Sequence, residues 1–282
     1  MNVQLHPMDH MQGYTMPNYS CMLNFEKNFV YAESQALMKD HFLNCFYYCA
    51  IYILLIFGGR RYMSNRPKFE LRGLLVSWNI ALALLSIFAF SRFSPEFLYV
   101  LKHHGFYHSV CLPRHLTHNP VSGVWAWIFT IMKLLEFGDT AFIVLRKQPL
   151  ILLHWYHHVT VLLYTWFSFV ETAGSSMWFG MINAFIHSCM YSYYALKAMR
   201  FKPPKWTAMT LTMLQITQMF WGIFITISTY YYAQIAQIPC NVTTLNLKLS
   251  ALMYLSYLIL FAKFFKESYL SKQKCKQSRK EK

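Results

Sequence analysis

Apolar residues along this 282-residue chain fall in long runs rather than in short alternating ones. A helix rises about 1.5 Å per residue, so a run of about 17 to 25 apolar residues is long enough to cross a bilayer. Seven such runs occur, near 42–58, 74–91, 121–145, 149–170, 177–198, 207–233 and 247–266. They predict an all-α integral membrane protein with seven transmembrane helices. The chain then divides into an N-terminal segment over 1–41, a transmembrane domain over 42–266 and a basic tail over 267–282. The fourth run is the least apolar because it carries histidines. Between the second and third runs, 92–120 is too polar to cross and contains Pro95, Pro113 and Pro120. It has room for a short interfacial helix.

Composition agrees: 56% of residues are hydrophobic and only 13% charged, which leaves no soluble domain hidden in the chain. The many Met, Phe, Tyr and Trp side chains either line an apolar interior or face lipid, and composition alone favours lipid. The net charge of +15 would suit nucleic acid if it formed one basic face, but the basic residues sit in short loops and the tail. They read as topology signals. Loops 60–72, 146–147 and 197–205 with the tail from Lys263 hold nineteen Lys or Arg, against six on the other side: Lys27, Lys39, Arg92, Lys102, Arg114 and Lys248. The positive-inside rule puts the N-terminus in a lumen and the tail in the cytosol.

No basic stretch followed by an apolar run and a small-residue cleavage site opens the chain, so the first membrane helix is expected to act as its own signal. Two glycosylation sequons, at Asn18 and Asn241, fall on the lumenal side. So do Cys111 and Cys240, the two cysteines in lumenal loops between spans. Either a disulfide joins them or both are free thiols. The ending Arg279-Lys280-Glu281-Lys282 reads as a dilysine-type retrieval signal or as a solvated basic tail.

Ionisable side chains at membrane depth are costly and mark functional sites. Span three carries Lys133, Glu136 and Asp139, span four His154, His157 and His158, span five Asn183 and His187, and span six Gln215 and Gln218. His154, His157 and His158, at i, i+3 and i+4, share one helix face, and Lys133, Glu136 and Asp139 form a similar stripe. Glu136, His157, His187 and Gln215 each lie ten residues from a basic anchor: Arg146, Lys147, Lys197 and Lys205. That places all four at one depth, roughly 15 Å in. One shared cavity explains this better than four unrelated accidents. Tyr191, Tyr193 and Tyr194 read as packing or cavity lining.

Histidines in H-x-x-H-H spacing also ligate iron in membrane desaturases and hydroxylases, but such sites need about eight imidazoles from several boxes. Here His103, His104, His108, His115 and His118 sit in the lumenal loop, away from the intramembrane box. A metal-free site is therefore the leading expectation, with a di-iron desaturase or hydroxylase as the alternative. A seven-helix receptor fits the span count but needs no buried histidine cluster.

Four strings together carry a family resemblance: KLLEFGDT at 133–140, LRKQPLILLHWYHH ending at His158, HSCMYSYYALKA from His187 and LQITQM from Leu214. In this order they resemble the ELO family of very-long-chain fatty acid elongases, across the chain from the first span to the seventh. The resemblance implies an endoplasmic reticulum enzyme whose last six helices form a barrel around a narrow acyl tunnel closed at its lumenal end. It implies a 3-ketoacyl-CoA synthase that condenses a fatty acyl-CoA with malonyl-CoA, using no cofactor and acting beside the other elongation-cycle enzymes as homo- or hetero-oligomers. By similarity, His157 is the nucleophile, His187 faces it, and His154 and His158 orient the site. Glu136, Asp139, Asn183 and Gln215, with Lys133, support it. Arg146, Lys147, Lys197, Arg200, Lys202 and Lys205 suit CoA phosphates at the cytosolic mouth. Trp155 and the KPP at 202–204 are similar to the branch of elongases three and six, which acts on saturated and monounsaturated chains.

Overall fold

The computed structural model describes residues 21–270 together with Pro17 and Tyr19; Asn18 and the tail from Ser271 lie outside the described residues. The described residues are helical and contain no strand. Two helices, α1 (Asn24–Lys27) and α2 (Tyr31–Asp40), precede α3 (Asn44–Met63) and the long α4 (Arg72–His103). Short helices α5 (Gly105–Cys111) and α6 (Arg114–Thr117) lead to α7 (Pro120–Leu135) and α8 (Phe137–Leu145). Then come α9 (Leu152–Val170), α10 (Ser176–Ala198), α11 (Lys205–Tyr230) and α12 (Thr244–Phe265). Short π-helical turns extend α11 to Ile235 and α12 to Leu270.

Helix starts follow local chemistry. Asn119 caps α7 by accepting from the backbone N–H of Val121 and Ser122, with Pro120 in the first turn where no N–H is needed. Thr243 caps α12 through its side-chain oxygen. Each of the seven apolar runs is mostly helical. By length and composition, α4, Lys205–Ile235 and Thr244–Leu270 are long and apolar enough to cross a membrane. The pair α2 and α3, bent by 59°, makes a fourth if it is one span.

Two stretches differ from the sequence expectation. The segment after residue 91 continues α4 through Pro95 to His103 instead of forming a loop. Its polar residues find partners inside the protein: Arg92 Nε lies 2.9 Å from buried Glu26 Oε1, and Asn119 Nδ2 lies 2.6 Å from buried Glu96 Oε2. Polarity matched in this way does not need water. The 121–145 run is split at Glu136, where the Asp139 N–H bonds Glu136 O in a tighter i to i+3 turn.

Packing runs in a cycle. α4 lies along α10, its most extensive partner, and also touches α7; α7 packs on α9, α9 on α12, α12 on α11 and α11 back on α10. Outside the cycle, α3 lies on α8 and α9. From Leu23 onward the N-terminal segment belongs to the same body: Tyr31 OH donates to Phe169 O at 2.6 Å and Gln35 Nε2 to Val170 O at 2.7 Å. At that end Cys111 and Cys240 form a disulfide with an S–S distance of 2.10 Å. The Asn241 N–H donates to Cys111 O, and the Gly174 N–H to Asn241 O, joining three chain segments. The sequon residue Asn241 is partly buried here, with its Nδ2 donating to Thr172 O at 2.5 Å.

Candidate active site

A cavity of about 570 Å³ opens between α4, α8, α9, α10, α11 and α12. The four histidines expected at membrane depth, His154, His157, His158 and His187, line it, as do Asp139, Asn183, Gln215 and Gln218. Of the four residues expected at one depth, His157, His187 and Gln215 line this cavity and Glu136 does not. Toward the helix ends its wall includes Arg146, Gln148 and Lys197. Lys147, Arg200, Lys202 and Lys205 are not in the wall. Lys147 Nζ instead donates to Ser64 O and Arg66 O, both at 3.0 Å, and tethers the turn after α3.

Lys133 and Glu136 stand behind the wall. Lys133 Nζ donates to Glu136 Oε1 at 2.7 Å and to Asn183 Oδ1 at 3.0 Å, and also lies over the Phe129 ring at 4.4 Å. The same Glu136 oxygen is 3.4 Å from His187 Nδ1. Both charges are buried. Such a pair persists in an apolar interior only because each group neutralises the other. Its geometry orients His187 from behind, leaving the far side of the ring toward the cavity.

Asp139 is held by two donors: Trp78 Nε1 at 2.6 Å and Tyr191 OH at 2.8 Å. Gly138 makes this possible, because a Cβ there would meet Trp78 Cζ2 at 2.5 Å. Tyr191 also sets its ring against His187, with centroids 5.5 Å apart. Within the H-x-x-H-H box, the His154 and His158 rings lie 4.5 Å apart and those of His157 and His158 5.5 Å. Tyr257 of α12 sets its ring, tilted by 47°, 4.9 Å from that of His157 and donates to His157 O. His154 Nε2 lies 2.9 Å from Thr140 Oγ1, which in turn lies 2.7 Å from Tyr52 OH on α3.

The family profile described as GNS1/SUR4, or ELO, matches residues 37–277. This chain belongs to the ELO family. Among curated relatives of this ELO-family chain, very long chain fatty acid elongase 6 of Drosophila melanogaster is 47% identical over 265 residues, covering 94% of this chain and 84% of the relative. The Homo sapiens protein of the same name is 44% identical over 265 residues, covering 94% and 97%. Very long chain fatty acid elongase 3 of Homo sapiens is 39% identical over 247 residues, covering 88% and 89%. These are the branches that Trp155 and the KPP motif resemble.

Sequence reasoning missed Tyr52, Trp78 and Thr140 of this ELO-family site. Each is an uncharged residue in an apolar run, and only the packing of α3, α4 and α9 around α8 gives it a polar partner.

Proposed function

We propose that the protein is a very-long-chain 3-oxoacyl-CoA synthase, condensing a long-chain saturated or monounsaturated fatty acyl-CoA with malonyl-CoA to a 3-ketoacyl-CoA two carbons longer. The convergence of His154, His157, His158 and His187 on one cavity edged by Arg146 and Lys197 carries this reading. A neutral imidazole attacks thioesters readily, and two facing imidazoles serve acyl transfer without a cofactor. His157 takes the acyl group and the first CoA leaves as a thiol. Malonyl-CoA then enters and loses CO2, and its enolate carbon attacks the acyl carbon and releases His157. His187, set by Glu136, positions the second substrate or transfers the proton that the His157 nitrogen takes up as it leaves. Arg146 and Lys197 meet CoA phosphates at the mouth, and Lys147, Arg200, Lys202 and Lys205 add positive field outside it.

In this reading the cycle α4–α7–α9–α12–α11–α10 is a six-helix barrel around the acyl tunnel, with α3 as the seventh span. The chain sits in the endoplasmic reticulum membrane, N-terminus lumenal and tail cytosolic. The Cys111–Cys240 disulfide supports this orientation, since such bonds persist on the oxidising side. The acyl tail would extend toward a small apolar pocket of about 50 Å³ lined by Phe93, Phe129 and Tyr164. For the di-iron alternative, the described residues bring no three His, Cys, Asp or Glu side chains together in a metal-binding group.

The test is condensation by purified enzyme given malonyl-CoA and acyl-CoAs of graded length and unsaturation. Products two carbons longer are expected, with His157→Ala slowing turnover by about 10³-fold or more. With acyl-CoA alone, mass spectrometry should find the acyl group on His157. Active enzyme without an acyl-histidine excludes the covalent route, and an unimpaired His157→Ala excludes the assignment.

A further inference from the structure

The two ring nitrogens of His154 meet different surroundings. Nε2 ends a chain of hydroxyls, Tyr52 OH to Thr140 Oγ1 at 2.7 Å and Thr140 Oγ1 to Nε2 at 2.9 Å. Tyr52 and Thr140 are buried, and among the described residues Tyr52 OH has no other hydrogen-bond partner. If His154 donated from Nε2, the single contact between Thr140 and Tyr52 could use only one of their two hydroxyl protons, and the other buried proton would have no acceptor among the described residues. An unmet buried donor costs about 1–3 kcal/mol. In the opposite direction every proton is used: Tyr52 donates to Thr140, and Thr140 to Nε2. A neutral imidazole that accepts at Nε2 carries its hydrogen on Nδ1. Nδ1 has no bonded partner among the described residues, and His154 lines the cavity one helical turn from His157.

We propose that His154 is the oxyanion donor of the acyl-transfer step, its Nδ1–H held toward the substrate by the Tyr52–Thr140 chain. This rests on the condensation reading above. As a His157 nitrogen lone pair forms the N–C bond, the carbonyl π pair moves onto oxygen, and His154 Nδ1–H binds that oxyanion. The pair then returns, the C–S bond breaks, and the proton shed by the acylated His157 goes to the departing thiolate. The same donor meets the second oxyanion, when the malonyl-derived carbon attacks. His154 is in this sense a catalytic residue; Tyr52 and Thr140 are positioning residues.

Single-turnover CoA release from acyl-CoA, without malonyl-CoA, tests the proposal. His154→Ala should slow release by about 10²–10³-fold, as for loss of an oxyanion donor. Apparent acyl-CoA affinity should change less than about threefold, because the bond forms mainly in the transition state. The amide of Asn reaches the position of Nδ1 and that of Gln the position of Nε2, so His154→Asn should retain more activity than His154→Gln. In ¹⁵N-histidine spectra, Thr140→Val should remove the Nδ1–H tautomer signal of His154 and slow release. Active wild type with an equally fast His154→Ala, or with Gln outperforming Asn, overturns the proposal. Wild type that condenses with malonyl-CoA present but releases no CoA from acyl-CoA alone overturns the covalent route and this inference with it, whereas wild type that forms no longer product overturns the condensation reading. If His154→Ala fails to fold, the Asn, Gln and Thr140→Val comparisons still decide.

Discussion

Single buried side chains set much of this protein's chemistry, and His115 shows how a neutral one behaves. It is buried on α6, with Nε2 3.0 Å from Ser176 Oγ. Burial pushes its pKa down to about 3 from the ordinary value of 6.5. The unfolded chain therefore binds a proton below about pH 6.5 that the folded chain refuses, so this residue's contribution is whole above that pH and is lost as pH falls toward 3. At pH 5 the loss is about 2 kcal/mol. Thermal unfolding of purified wild type and His115→Phe at pH 7.5 and pH 5 measures it. The stability gap between the two should shift by about that amount in favour of the variant at pH 5, and an unchanged gap would disprove the buried neutral state.

At the scale of elements, two glycines permit close approaches that a Cβ would obstruct, with different consequences. Gly138 lets α8 close on α4 so that Trp78 reaches Asp139. Gly138→Ala should displace the indole, destabilise by about 1–3 kcal/mol and lower condensation activity per folded molecule. Gly174 lies against backbone instead, its added Cβ meeting Cys111 C and O at 2.5 Å. Gly174→Ala should cost at least as much stability, read by thermal unfolding, yet leave the turnover of folded enzyme near wild type. Loss of stability without loss of turnover at 138 would show that the Trp78–Asp139 contact is structural only. The elements themselves were legible where lipid makes polarity conspicuous. His154, His157 and His158 stand out in an apolar run, and the common depth of Glu136, His157, His187 and Gln215 pointed to a cavity that three of those four line. The polar half of α4 was not legible, because Arg92 and Glu96 look like loop residues until Glu26 and Asn119, distant in sequence, are seen beside them. The roles of Tyr52 and Thr140 were hidden for the same reason.

For the molecule as a whole, one end is fastened by a covalent bond. The disulfide spans 129 residues of sequence, and backbone bonds from Gly174 and Asn241 converge on it. Closing so long a loop restricts the unfolded chain, a stabilisation of about 2–5 kcal/mol. Cys111→Ser with Cys240→Ser should lower the melting temperature in detergent, and reduction of wild type should reproduce the fall while leaving the double variant unmoved. A reduced wild type as stable as the oxidised one would assign the fastening to packing alone. The opposite end, where Arg146 and Lys197 edge the cavity, carries no disulfide among the described residues; there the Phe69 N–H donates to Leu145 O and Lys147 to Ser64 O and Arg66 O.

The Lys133–Glu136 pair also bears on how such a protein can drift in sequence. Losing either member alone strands a charge in the interior, at a cost of about 3–5 kcal/mol, a large share of a domain's total stability. A lineage can therefore not lose one and repair the other at leisure. The two positions are inherited together or replaced together, and Asn183 and His187, which touch the same two groups, narrow the replacements that would still leave a working site.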